Sequence, residues 1–252
     1  MGKNDFSAEF AENYEQKCLC VLVLDVSGSM NEIIDNSGAI PTGRTVFMDG
    51  REYNIVTGGI SKLNELNNGL REFYSEIAND EATSQKLEIA VITFNDIVNV
   101  VDGPCLIENS ALPTLSANGG TALVDAVNEA IGMVSARKNW YKSTNQPYNR
   151  PWIILITDGE PNNGQDINGL AQRIKEDTAA KKYVFLPIGV DKADMSVLQR
   201  LAGQIPAMKL KGTKFSSFFK WLSASMGTVV NSEKGSTVDL SSDTSWMDNF
   251  VI

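Results

Sequence analysis

Six consecutive apolar residues, Leu19 to Leu24, run straight into Asp25, Ser27 and Ser29 in the stretch LCVLVLDVSGSMNE, residues 19–32. A continuous apolar run of this length suits a parallel β-strand covered on both faces. Yet a carboxylate beyond such a strand is expensive to desolvate without a counter-charge. Two more dense apolar runs follow, at residues 152–156 and 183–188. Helical patterns lie between and after them. Residues 60–78 place Leu63, Leu66, Leu70, Phe73 and Ile77 on one stripe, and residues 122–134, 167–180 and 215–226 read as three more helices. Residues 87–94 and 97–101, separated by Asn95-Asp96, read as a hairpin with a tight turn. The expected fold is α/β: a doubly wound, Rossmann-like, mostly parallel sheet of about six strands with one antiparallel edge strand and helices on both faces.

The chain of 252 residues is expected to form a single domain over 1–252, with a core at about 16–230, an insertion at 31–59 and a tail at 231–252. Asp49-Gly50 between two β-prone runs predicts a hairpin within the insertion. Residues 138–150 read as a polar and aromatic loop.

A formal net charge of −9 disfavours nucleic acid as a partner. The basic cluster Lys209, Lys211, Lys214 and Lys220 reads as a solvated face. The absence of histidine removes the commonest general base and transition-metal ligand, so a metal site must use oxygen or thiolate. Cys18 and Cys20 would share one face of a strand and, with Cys105, form no zinc-site spacing; they read as small buried side chains in a reducing compartment. The polar, acidic start is unlike a secretory signal, and no apolar run approaches the roughly 20 residues of a membrane helix. The expectation is a cytoplasmic protein without membrane association.

Three loops fall at the carboxyl edge of the expected sheet. The first carries Asp25, Ser27 and Ser29; the second is Ala117-Asn118-Gly119-Gly120-Thr121, opening the helix from Ala122; the third is Thr157-Asp158-Gly159-Glu160-Pro161. Taken singly, the serines could cap a turn, Thr121 sits where a helix N-cap belongs, and Asp158 is a plausible turn acid. Together they place hydroxyls and two carboxylates where doubly wound topology can gather them. A hard cation such as Mg²⁺ accepts such oxygens and keeps some of its waters. A metal held by neutral hydroxyls is under-neutralised and should attract an external carboxylate.

Asp25-x-Ser27-x-Ser29, Thr121 after Gly119-Gly120, and Asp158 in Thr-Asp-Gly resemble the metal-ion-dependent adhesion site of von Willebrand factor A domains. The resemblance covers about residues 16–230 and looks closest to the bacterial TerY-type branch. Arg150-Pro151-Trp152, Asp158-Gly159-Glu160-Pro161 and Phe219-Lys220-Trp221-Leu222-Ser223 support that placement. It implies a non-enzymatic module binding Mg²⁺ or Mn²⁺. Ser27 and Ser29 would be direct ligands, Thr121 direct or through water, and Asp25 and Asp158 largely through water. It also implies a protein partner that supplies an Asp or Glu to the metal, with phosphatase- or kinase-like operon neighbours as candidates, in a stress, tellurium-resistance or phage-defence setting. The insertion at 31–59 is longer than that branch leads one to expect, and Asn162-Asn163 stands in place of a Thr-Asp pair. The alternative is a Mg²⁺-dependent hydrolase or phosphotransferase with Glu160 as its spare acid. Against it, the first loop is not Asp-x-Asp, and no phosphate-binding glycine loop is present.

Overall fold

The computed structural model describes residues 14–48, 50–233 and 238–248. In chain order these form β1 (Cys18–Asp25), a 3₁₀ turn (Gly28–Asn31), β2 (Ile33–Asp35), β3 (Ile40–Met48), β4 (Arg51–Thr57) and β5 (Ile60–Ser61). There follow α1 (Lys62–Asn79), α2 (Glu81–Ser84), β6 (Leu87–Phe94), β7 (Val98–Leu106), α3 (Leu123–Ser143) and β8 (Trp152–Thr157). The chain continues with α4 (Ile167–Ala179), β9 (Val184–Gly189), α5 (Met195–Leu201), β10 (Met208–Lys209) and α6 (Phe215–Val230).

Six strands form the main sheet in the order β10-β9-β8-β1-β6-β7. All pairs are parallel except β6 with β7, the antiparallel edge strand. The expected fold class is therefore observed. All eight residues of β1 are buried, because its alternating side chains are covered from both sides. Cys18, Cys20, Leu22 and Leu24 face α1 and α6, while Leu19, Val21 and Val23 face α3, α4 and α5. Each such aliphatic side chain contributes about 1.5–3 kcal/mol on burial, so the strand is a firm mount for the loop at its end. Cys18 and Cys20 do share a buried face, and burial pushes the Cys18 thiol up to about 12.

Three local expectations need correction. The helix expected to end near residue 134 runs on to Ser143, so residues 138–143 are helix and not loop. Its buried stripe continues through Arg137 and Tyr141, whose polar ends reach buried Glu88. An apolar count does not register that continuation. The β6–β7 turn takes three residues, 95–97, and β7 extends to Leu106. Thr121 is not the N-cap of α3; Ala122 holds that position, with no side-chain cap bond.

The insertion is a ribbon. Among the described residues β3 pairs only with β4, in a register that sets Val46 against Tyr53 and Phe47 against Glu52. Asp49 of the expected turn, like the N-terminal stretch 1–13, lies outside the described residues. A short antiparallel pair, β2 with β5, closes the neck of the ribbon. The neck is tight: a Cβ on Gly58 would run into the Gly38 carbonyl oxygen. At the other end of the chain, Trp246 is buried against Phe218 and Trp221 of α6.

Candidate metal centre

The strand β1 delivers Asp25 at its last paired position, and the chain then turns within hydrogen-bonding distance of itself. Ser27 N donates to Asp25 Oδ1 at 2.7 Å. The 3₁₀ turn that follows brings the Ser27 and Ser29 hydroxyls to 3.1 Å from each other. Ser27 occupies the N-cap position of that turn without making a side-chain cap bond, so its hydroxyl is not spent on capping.

The second loop is pinned to the first. Asn118 N donates to Val26 O and Gly28 N to Gly119 O, each at 2.9 Å. Gly119 has φ +71°, a conformation that selects glycine, and the Asp96 carboxylate lies where a Cβ would be. Thr121 is buried, and Asn162 fixes its backbone from both sides. Thr121 N donates to Asn162 Oδ1 at 2.8 Å, and Asn162 N donates to Thr121 O at 3.0 Å. Asn162, which departs from the pattern of the TerY-type branch, thus positions the second loop. The Thr121 hydroxyl is left outside the helix cap.

The third loop leaves β8, the parallel neighbour of β1. Thr157 Oγ1 donates to Asp25 Oδ2 at 2.5 Å. Asp158 Oδ1 accepts from Ser29 Oγ at 2.7 Å. A Cβ built on Gly159 would lie 3.3 Å from Thr121 Oγ1, 3.7 Å from Asp25 Oδ2 and 3.9 Å from Ser29 Oγ. Oxygens from the first two loops therefore border one small space beside Gly159 of the third, with Ser27 and Asp158 joined to it through Ser29. All five residues singled out in the sequence come together.

The electrostatics fit a cation. Asp25 is fully buried; desolvation first, and then the Asp158 charge, push its carboxyl up to about 7 against the Ser27 and Thr157 hydrogen bonds that oppose the shift. Among the described residues no three His, Cys, Asp or Glu side chains are grouped to hold a metal. A metal here would depend on the hydroxyls. Three hydroxyls and two carboxylates make an all-oxygen set, the chemistry of a hard divalent ion.

One residue at the centre was not foreseen. Lys62, 1% exposed at the start of α1, donates to Asp158 Oδ2 at 2.8 Å and to Glu32 and Asp191 at 2.9 Å each. Burial alone would lower its pKa, but the Asp158 charge and the three carboxylate hydrogen bonds together raise it. The ammonium holds Asp158 from the side away from Ser29. A signal existed in the sequence: a lysine in the first turn of a helix opposes the helix dipole, and here the carboxylates compensate. Glu160, the spare acid of the enzymatic alternative, is exposed.

The family model described as von Willebrand factor type A domain matches residues 20–219. No curated protein resembles the sequence closely enough to count as a match. Several solved structures are similar. Proximal thread matrix protein 1 from the mussel byssus shares 16% identity at a TM-score of 0.54, over 86% of this chain and 47% of that one. The pilus adhesin SpaC from Lactobacillus rhamnosus GG shares 12% at 0.57, over 86% of this chain and 32% of that one. The PilB minor pilin from Streptococcus sanguinis shares 13% at 0.52, over 82% and 62%. The chain thus spans less than two thirds of each, and the likeness is one of fold.

Proposed function

The chain belongs to the von Willebrand factor type A domain family, and from that premise we propose that it is a divalent-metal-dependent protein-binding module. The observation that carries this reading is the meeting of Asp25, Ser29 and Thr121 oxygens around the space beside Gly159. Ser27, Ser29 and Thr121 would offer neutral oxygens, and Asp25 and Asp158 the anionic field. Bound there, Mg²⁺ or Mn²⁺ would supply an electrophilic centre that accepts an Asp or Glu carboxylate from a partner protein. The chain's own part is positional. Thr157 and Ser27 N hold Asp25, Lys62 and Ser29 hold Asp158, and Asn162 holds Thr121.

The sequence resemblance to the TerY-type branch extends the proposal to a bacterial stress, tellurium-resistance or phage-defence system, in the cytoplasm, with phosphatase- or kinase-like operon neighbours as partners. No described helix is long and apolar enough to cross a membrane. The reading is of a binding module, not an enzyme.

Titration calorimetry with Mg²⁺ and Mn²⁺ tests the site: heat should be present in the wild-type chain and absent in Ser27→Ala/Ser29→Ala. A pull-down from the source cell should recover a partner with metal and lose it with EDTA. Retention of the same partner in EDTA contradicts the proposal. Metal-dependent turnover of a phosphoester that vanishes in Asp25→Ala would favour the hydrolase reading in its place.

A further inference from the structure

The ribbon β3–β4 stands apart from the body of the protein. Nine residues of β3 at about 3.3 Å each make it roughly 30 Å long. Its described side chains are mostly exposed. Eight large hydrophobic residues are exposed among the described residues, and five of them, Ile34, Ile40, Val46, Phe47 and Ile55, belong to this one insertion. An isolated two-stranded ribbon is at best marginally stable in water, so its apolar surface calls for a cover.

The two faces of the ribbon differ. Directly paired residues share a face and alternate residues along a strand do too. Arg44 lies opposite Ile55 and Val46 opposite Tyr53, and Arg51, two residues before Tyr53, falls on the same side. That face is an apolar centre bracketed by two arginines and carries no acid among its described side chains. Glu52 lies opposite Phe47, on the other face. In a chain of net charge −9 this is a local exception in sign. It suits an acidic, partly apolar segment that the rest of the surface would repel.

The root of the ribbon adjoins the metal centre. Its neck places Ser61 opposite Ile33. The neighbouring residues Lys62 and Glu32 are bonded to each other, and Lys62 is bonded in turn to Asp158. A partner carboxylate entering the metal centre therefore arrives beside this root.

We infer that the ribbon is a docking arm: its Arg44, Val46, Arg51, Tyr53 and Ile55 face receives an acidic segment with apolar side chains, belonging to the same partner protein that brings a carboxylate to the metal. The inference rests on the metal-dependent reading above. The arm adds affinity and selects among acidic partners that the metal alone would treat alike.

The probe is a random dodecapeptide library displayed on phage and selected on the Mg²⁺-loaded full chain; an extended dodecapeptide spans about 40 Å, long enough to follow the arm. Selected peptides are synthesised and measured by fluorescence anisotropy on three chains: wild type, Val46→Ser/Tyr53→Ser/Ile55→Ser, and Arg44→Glu/Arg51→Glu. Each is measured with Mg²⁺ and with EDTA. The expected result is peptides that combine Asp or Glu with apolar residues and lose about tenfold or more in affinity on either arm variant and in EDTA. Because none of the substituted side chains belongs to either buried core, the metal-free melting temperature should not move, which separates loss of docking from loss of fold. Binding that is abolished by EDTA but equal on all three chains overturns the arm and leaves the metal reading standing. Binding that needs the arm but ignores EDTA overturns the shared occupant, and with it the inference, while the metal reading stands or falls by the calorimetry above. Failure to select any peptide that depends on the arm overturns the inference. So does a wild-type dimer in sedimentation velocity that the apolar variant dissolves, since the arm would then serve a second copy of the chain.

Discussion

At Gly159 the missing side chain would leave room for the proposed ion. A methyl group at that position would sit 3.3 Å from the Thr121 hydroxyl and close to Asp25 and Ser29. Its φ is not in the left-handed region, so alanine can be accepted by the backbone. Gly159→Ala should therefore fold as the wild type does and bind Mg²⁺ at least tenfold more weakly, about 1.4 kcal/mol or more. Unchanged calorimetric affinity in this variant would place the ion elsewhere. Lys62 makes the complementary point. It makes no hydrogen bond to the other four proposed ligands, yet it fixes one oxygen of Asp158 while Ser29 fixes the other. The five oxygen-bearing residues were legible because each stands at a fixed offset from an apolar strand or a glycine pair. Lys62 was not, because its role depends on Glu32, Asp158 and Asp191 arriving from three distant parts of the chain.

At the scale of elements, α3 shows where sequence periodicity stops being informative. The apolar stripe of its first turns gives the start and face of the helix correctly. Its last turns are held by polar groups: Arg137 donates to both oxygens of Glu88 at 2.8 and 2.6 Å, and Tyr141 donates at 2.5 Å. Arg137→Ala should leave the Glu88 carboxylate buried without its main counter-charge and cost about 3–5 kcal/mol. Glu88→Leu/Arg137→Met/Tyr141→Phe should recover much of that loss, because replacing both charges and the hydroxyl that donates to Glu88 removes the desolvation penalty as well as the attraction. Urea denaturation reads both. Neither change should alter metal affinity, since the pair lies at the amino-terminal end of β6 and the metal centre at the carboxyl ends of β1 and β8. The ribbon gives the opposite lesson. Its hairpin was legible from turn chemistry, but the β2–β5 neck that roots it was not, because those strands are too short to carry any pattern.

For the whole molecule, buried Asp25 couples stability to pH. An unfolded aspartate titrates near 3.9, whereas burial, and then the Asp158 charge, push the Asp25 carboxyl of the folded chain up to about 7. Below the lower value both states are protonated and Asp25 contributes no penalty. As pH rises through this window the unfolded chain releases the proton while the folded one retains it, so the metal-free protein loses stability until about pH 7. A cation bound at the proposed site would take the place of that proton. The gap in melting temperature between Mg²⁺-loaded and EDTA-treated protein should accordingly widen between pH 5.5 and pH 8. A gap independent of pH would show that Asp25 does not share its charge with the ion. The far end of the chain has a different use. Trp246 returns to pack its ring 5.1 Å from that of Trp221, with Phe218 at 5.0 Å. Two indoles that close are electronically coupled, so the molecule carries a label-free optical gauge of whether its last described segment remains seated on α6.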